Sequence, residues 1–528
     1  MILWRNKMTK KSIITMAITA ALCAGCLAGC GKDKTTSGDT ATIKWWTPNW
    51  APNYLTTYND LECFKEAGKK VGVNIDFINV TTQDAPEQFN LLAASGTLPD
   101  VIGYNLAWVG GATKAIQDGV VIDLKDYITE EKMPNLSKLL KENETYRKLI
   151  KNYDGSVSTF PEFKENTEVN AFFGPTVRKD WLDKLGLSAP ETINDWYNML
   201  TAFKTRDPNG NGEGDEIPLA ADKELFFSYL ASTYGVTADF CKNEKGEVVY
   251  GPIQPDFKDF ITEMNKWYKE GLIDPEFASL TRTNVDARMT NSTSGAYVGY
   301  IGSQMGNYLS ALDGTDAKLV GVDWPAKEAG GKHFGGMREL IDMAGSAGTA
   351  ITTANKNVDK TIEFIDYCYS KEGSDLFSWG IEGVTYTKDN GEYKFMDSIT
   401  NNSEGKDPVG LLAKYCLPIY STGARVMSAD AYMQVGMARD EQREAAKVWG
   451  GCDTSLFLPT LPFTTDEQDT ISDVMGDVKT YYTDMFVKFV MGVEPIEKFD
   501  SYVESIKKMG IDKVLKCYKD AYDRYEKE

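Results

Sequence analysis

Residues 177–219 read VRKDWLDKLGLSAPETINDWYNMLTAFKTRDPNGNGEGDEIPL, a helix with a marked start that runs directly into an unusual loop. Thr192 and Asp195 have the spacing of a capping box, and Trp196, Met199, Leu200 and Phe203 form one helical stripe. In the loop, Asp207 to Glu216 (DPNGNGEGDE), oxygen-bearing side chains recur at every second position. These are Asp207, Asn209, Asn211, Glu213 and Asp215, with Glu216 adjoining and Gly210, Gly212 and Gly214 between them. Calcium takes about six to eight oxygen ligands at about 2.3–2.6 Å, and a tightly curled loop presents alternate residues inward. The glycines permit that curl because they reach positive φ without a Cβ clash. A solvated Asn-Gly turn favours some of the same letters, but so many alternating oxygen donors exceed what a turn needs. The pattern predicts a Ca2+ site. It departs from an EF-hand at the twelfth position, where Pro218 stands in place of a bidentate Glu. Glu216 would supply the closing carboxylate, which points to a permanent structural clip on a helix end rather than a sensor.

Outward from this block, the N-terminus gives a location. Arg5, Lys7, Lys10 and Lys11 precede an apolar run from Ile13 to Leu27, followed by Ala28-Gly29-Cys30. A basic region, a short apolar stretch and small residues before a cut make a secretory signal over 1–29. Cys30 at that point has the form of a bacterial lipobox cysteine, diacylated after cleavage. The apolar run is shorter than the ~20 residues of a membrane span and is interrupted by Thr15 and Thr19. Residues 30–41 continue as a polar, Ser/Thr/Gly-bearing tether that cannot bury itself. The expected product is a body held at the outer face of a cell membrane by lipid alone.

The body carries 42% hydrophobic and 12% aromatic residues, enough for large cores, and its length implies at least two domains. Formal net charge is −20, and about −24 once the four signal-segment cations are removed. That acidity argues against nucleic acid and against adsorption to anionic lipid. Cys63, Cys241, Cys368, Cys416, Cys452 and Cys517 show no paired metal-ligand spacing, so disulfides and buried thiols both stay open.

The pattern from residue 41 fixes a fold class. Ala41–Trp46 (ATIKWW) predicts a strand, Leu61–Val71 a helix stopped by Gly72, Val73–Val80 (VNIDFINV) a second strand, Pro86–Ser95 a helix, and Leu98–Ile102 a third strand. A β-α-β-α-β order implies parallel strands with helical crossovers. Further strands are expected near 296–301, 318–322 and 349–353, and helices near 257–270, 358–370, 466–490 and 499–509. In the 466–490 helix, Ile471, Val474, Met475, Val478, Tyr482 and Met485 keep helical spacing, and packing on its own lobe is favoured over a partner helix.

Six blocks in this order, LLAASGTLPDVI at 91–102, GVVIDLKDYI at 119–128, the block at 177–219, NKWYKEGLIDPEF at 265–277, YSKEGSDLFSWGIEGVTY at 369–386 and VKFVMGVEPIEKFDSYVESIKKMG at 487–510, span nearly the whole chain. Together they resemble extracellular solute-binding lipoproteins of carbohydrate ABC transporters, in particular the long, calcium-containing oligosaccharide-binding subgroup. The resemblance implies an α/β, two-lobe, periplasmic-binding-protein-like fold of class II, with mixed sheets flanked by helices and a ligand cleft at a hinge. It divides the chain approximately into an N-terminal lobe of 42–172 and 345–390 and a C-terminal lobe of 173–344 and 391–528. It also implies an oligosaccharide ligand, ABC permease subunits as partners and a monomer. The calcium pattern maps onto Asp207, Asn209, Asn211, Glu213 (through its carbonyl), Asp215 and Glu216.

Sugars offer apolar C–H faces and a fringe of hydroxyls, which suits aromatic platforms beside amide or charged groups. Trp46, Trp50, Trp108, Trp324 and Trp379 sit near strand ends or loop starts, where ligands of open α/β sheets bind. Asn105, Arg178, Arg338 and Glu382 are further cleft candidates. Trp181, Trp196 and Trp267 lie in helical stripes and read as core. His333 is the only histidine, which weighs against His-based nucleophile relays and multi-His zinc sites. Two alternatives to a non-enzymatic binder stay open: a lipid-anchored glycoside hydrolase, since 77 acidic residues can always supply a carboxylate pair, and a receptor for a non-sugar solute on the same fold.

Overall fold

The computed structural model describes residues 40–104, 108, 111–166, 171–220, 230–335, 341–342, 348–402, 407–420 and 423–527. The expected signal segment, Cys30, Asn105 and Arg338 lie outside the described residues.

The chain opens as its alternation predicts. β1 (Ala41–Pro48) pairs in parallel with β2 (Val73–Val80) along its whole length and with β3 (Val101–Gly103) at Trp45 and Trp46. The Glu62–Val71 helix joins β1 to β2 and ends at Gly72, whose φ of 81° supplies the left-handed cap. Next, β4 (Glu162–Lys164) leaves this sheet and leads into β5 (Phe173–Arg178), the first strand of a second sheet. That sheet is completed by β6 (Ile217–Ala220), β7 (Ser294–Tyr300) and β8 (Leu319–Gly321) in the order β8-β5-β7-β6. β9 (Ile341–Asp342) then returns the chain to β10 (Thr349–Ile351), which closes the first sheet antiparallel to β3. Last, β11 (Arg425–Met427) follows a helical stretch of the first lobe. The strands β9, β4 and β11 form a small sheet of their own in that order. These three strands therefore carry each described passage between the two larger sheets.

Each large sheet has its own core. The first buries Ile43, Trp45, Phe64, Phe77, Phe160, Phe364 and Trp379, and the second buries Trp181, Trp196, Phe203, Phe260, Trp267 and Phe486. Residues 395–435 contribute Phe395, Ile399, Val409, Leu412, Leu417, Ala431 and Val435 to the first core. The approximate division that assigns everything after 390 to the C-terminal lobe is corrected accordingly. The physical reason is the Tyr386–Asp389 and Glu392–Phe395 hairpin, whose Tyr386, Tyr393 and Phe395 rings pack around Trp379 and keep the chain on the first lobe. The long Thr465–Met491 helix carries a capping box of Thr464 and Glu467 and lays its stripe on the second core, with Val478 and Met485 buried.

Outside the small sheet the lobes touch again, two of the contacts being the following. Gly111 stands against the Gln468 side chain, where an added Cβ would approach within 3.0 Å. The Lys148 ammonium lies 5.7 Å from the Tyr525 ring centroid. Among the described residues no helix is long and apolar enough to cross a membrane, and Cys63, Cys241, Cys368, Cys416 and Cys517 are buried free thiols.

Packing in the second lobe is tight enough to give a direct check. A Cβ on Gly295 of β7 would meet Phe203 at 2.3 Å and Trp181 at 2.7 Å. Gly295→Ala is expected to destabilise the protein by about 1–3 kcal/mol through overpacking, measured as a lower denaturant midpoint with an unchanged m-value.

Candidate ligand cleft and oxygen-lined loop

Parallel strands end together, and the loops leaving those ends form a rim. Thr47 Oγ1 donates to the Gly103 carbonyl at 2.7 Å, fastening the end of β1 to that of β3. Asn79 accepts from the Tyr58 amide at 2.8 Å and from Thr57 Oγ1 at 3.1 Å, and Asn49 donates to the Leu55 carbonyl at 2.6 Å. These bonds fix the 47–58 segment, in which the Trp50 amide donates to the Tyr58 hydroxyl at 2.9 Å. Trp50 itself is half-buried, and its indole N–H is buried without a hydrogen-bond partner among the described residues. Beside it, Tyr54 packs against Tyr420 at 6.3 Å between centroids and donates to Asp407 at 2.5 Å. Burial first, and then the Asp407 carboxylate, pushes the Tyr54 phenol above its ordinary range.

The second lobe brings aromatic rings to the same junction. Phe173 at the start of β5 pairs in register with Tyr300 at the end of β7. The neighbouring Phe172 ring lies parallel to Tyr300, with centroids 6.1 Å apart and planes 2° from parallel. Lys164, the last residue of β4, places its ammonium 5.5 Å from the Phe172 ring, and the Arg282 guanidinium lies 5.7 Å from that of Tyr300. Arg282 also donates to the Ser303 carbonyl at 2.6 Å. A π-helical turn, Ile301–Gly306, follows Tyr300, and its Gln304 side-chain Oε1 accepts from the Tyr300 amide at 3.0 Å. Burial raises the Tyr420 phenol, followed by Asp407, and Arg282 pulls it back, so the second-lobe arginine acts electrostatically on a first-lobe ring. Tyr58 is pushed up to about 12, chiefly by burial, and it feels Tyr420 as well. The Tyr420 phenol, packed on Tyr54, is thus within electrostatic reach of Arg282, whose guanidinium lies over the Tyr300 ring.

The structure does not gather the seven described residues among the nine sequence-predicted cleft candidates into one site. Trp50 is on the rim. Trp46 is 4% exposed and packs edge-on to Tyr104, with centroids 5.8 Å apart. Trp108 donates its indole N–H to Asp118 at 2.8 Å. Trp324 and Trp379 are buried at 0% and 2%, the first beside Phe173 and the second under its hairpin. Arg178 is at the opposite end of β5 from Phe173, buried over Trp181 and bound to Asp180 through Nε at 2.8 Å and Nη2 at 2.6 Å. Glu382 is exposed in a turn beside Tyr386. Sequence reasoning missed Phe172, Tyr300, Arg282, Tyr54, Tyr420 and Asp407. Only the Phe172-Phe173 pair and the terminal position of Tyr300 on its strand carried a usable signal.

The 207–216 loop is curled as its letters require. The capping box before it is complete: Thr192 accepts from the Asp195 amide at 3.1 Å, and Asp195 accepts from the Thr192 amide at 2.9 Å. Gly210 and Gly212 have φ of 76° and 80°. Asp207 accepts from the Gly210 backbone amide at 2.8 Å and from that of Gly212 at 3.2 Å, and the side-chain Nδ2 groups of Asn209 and Asn211 both donate to Asp215 Oδ1 at 3.1 Å. Those two bonds hold the Asp215 carboxyl below the usual range. Glu216 is the opposite case. Its Oε1 is buried without a partner, and burial, joined by Asp207 and Asp215, raises its carboxyl. Among the described residues no three carboxylate, cysteine or histidine side chains converge to hold an ion by themselves. The Asn209 and Asn211 side chains and backbone oxygen would have to complete the set. Clustered acids with one buried, unpartnered oxygen fit a cation.

Two lobes joined by a strand junction, with aromatic and polar groups at the strand ends, define a two-lobe solute-binding fold. The family profile for bacterial extracellular solute-binding protein matches residues 49–375, and the chain belongs to that family. It is 26% identical to the fructooligosaccharide ABC transporter substrate-binding protein FusA of Streptococcus pneumoniae, across 96% of this chain and 97% of that protein. It is 23% identical to lipoprotein LipO of Bacillus subtilis, across 94% of this chain and 95% of LipO. A structure of the FusA EF-hand mutant in complex with fructo-nystose superposes with a TM-score of 0.73 at 24% identity, covering 92% of this chain and 99% of that one. The alginate-binding protein AlgQ2 without calcium ion superposes with a TM-score of 0.71 at 24% identity and the same coverage.

Proposed function

We propose that this protein is the substrate-binding component of an ABC importer, capturing an oligosaccharide between its lobes and delivering it to a membrane permease. The observation that carries the reading is the Phe172–Tyr300 pair, flanked by Lys164 and Arg282, with Arg282 in electrostatic reach of the Tyr54–Tyr420 pair of the first lobe. Flat rings accept the C–H face of a pyranose or furanose, while the carboxylate and guanidinium address hydroxyls. FusA, similar over nearly the whole chain, supports the ligand class. The chemistry is reversible binding, with the closed state favoured because both lobes contact the ligand only when shut. No bond is made or broken, and the protein acts as a monomer.

Isothermal calorimetry with a panel of neutral and acidic oligosaccharides, followed by chromatography of each mixture, tests this. Saturable heat with intact sugar is expected, with at least about tenfold weaker binding, or about 1.4 kcal/mol, in Tyr300→Ala. Shortened chains after incubation would instead establish a glycoside hydrolase, and silence across the panel a receptor for another solute.

Ca2+ in the 207–216 loop is the second element of the reading, held by Asp207, Asn209, Asn211, the Glu213 carbonyl, Asp215 and Glu216. The ion would neutralise the acids around Glu216 and clip the C-terminal end of the Ile193–Thr205 helix, whose carbonyls carry partial negative charge. At calcium about one hundredfold above Kd, the bound ion stabilises by about 2.7 kcal/mol. Chelation should therefore lower the melting temperature while sugar affinity, measured well below the melt, stays within about twofold. A large loss of affinity would place the ion in the cleft.

The third element is anchorage at the outer face of the bacterial cell membrane through diacylated Cys30. In cells, Cys30→Ala is expected to abolish labelling by a fatty-acid probe and to move the protein from the membrane fraction to the soluble one. Retention in the membrane fraction would argue for a different anchor.

A further inference from the structure

The small sheet that joins the lobes contains a buried ion pair. Glu162 on β4 and Arg425 on β11 are register partners, both 1% exposed, with Arg425 Nε 2.7 Å from Glu162 Oε2. The remaining guanidinium donors reach backbone carbonyls: Phe377 at 2.9 Å, Tyr420 at 2.7 Å and Leu417 at 3.4 Å. One arginine thus holds two crossing strands, the Lys371–Trp379 helix and the loop that carries Tyr420 to Tyr54. Three residues further along the same strand pair, Glu165 accepts from the Ala429 amide at 3.0 Å while its own amide donates to the Met427 carbonyl at 3.1 Å.

A buried ion pair is a weak source of stability, because the desolvation of both charges offsets their attraction, and apolar replacements of both partners are often neutral or stabilising. Its directional bonds do something an apolar pair cannot, which is to fix the relative position of four backbone segments. We propose that Glu162 and Arg425 are positioning residues of the hinge. They lock β4 and β11 into one body and hold the Tyr420 loop at the cleft edge, so the free protein samples a narrow range of lobe separations from which it closes. This rests on the two-lobe binding reading above. Loss of the pair widens the range, lowers the fraction of molecules ready to close, and weakens ligand binding in proportion to that fraction.

The test is read first without ligand. Nitroxide labels at Lys69→Cys on the first lobe and Lys508→Cys on the second, both exposed, report lobe separation by pulsed electron resonance. The variants are Arg425→Lys, which keeps the charge but cannot reach three carbonyls, and the double Glu162→Met/Arg425→Met, in which stability is restored. Each should melt cooperatively and show a broadened distance distribution, with about tenfold weaker affinity for a sugar that the parent protein binds. A parental distribution in either cooperatively melting variant overturns the proposal. Failure of both to melt cooperatively overturns it too, since the pair would then be a requirement for folding. Absence of any sugar binding by the parent protein would count against the proposed ligand and leave the distance measurement decisive for the hinge.

Discussion

The chain must pass between two hydrophobic cores, and each described passage runs through a strand of two or three residues. Such short strands have few ladder bonds, so side chains supply much of the geometry at the junction. Arg425 does this with one guanidinium on one carboxylate and three carbonyls. Thr349 at the start of β10 adds to it, exchanging backbone bonds with Phe160 at 2.8 and 2.9 Å and accepting from the Ala424 amide at 3.2 Å. The position of each sheet's strand ends, and hence of the cleft, follows from how this small sheet is held.

The cleft and the oxygen-lined loop serve different physical ends. The loop is held by hydrogen bonds among residues no more than six apart, with Lys184 donating to the Pro208 carbonyl from an earlier helix, and presents one buried carboxylate oxygen that asks for a cation. The proposed cleft draws on 54, 164, 172, 282, 300, 407 and 420, residues from both lobes and from the junction strand. Its rings are partly exposed and its charges are partly used, a state suited to exchanging water for a ligand with both faces and hydroxyls.

Much of the fold was legible because its signals are local. The capping box at Thr192, the stripe ending at Phe203, the Gly72 cap and the alternation of Val73–Val80 all concern residues within a few positions of one another. Tryptophan placement was less legible. Trp324 and Trp379 have the same local setting as Trp50, near an element's end, but each is covered by a ring or hairpin that only the folded chain brings there. Arg178 is a cleft candidate in sequence, but it stands at the far end of its strand from Phe173 and is paired with Asp180, two residues on.

The order of strands and helices, the capped helix, the curled acidic loop and the expectation of a membrane-tethered α/β receptor were determined by the sequence itself, because periodicity, capping and turn chemistry act over one or two turns of chain. The tertiary structure alone decided which aromatics are buried, that Phe395, Ile399, Leu412 and Val435 join the first core, and that Glu162 meets Arg425 across 263 residues. Those outcomes depend on which surfaces exclude water together, and burial of that kind is a property of the assembled lobes that no local spacing encodes.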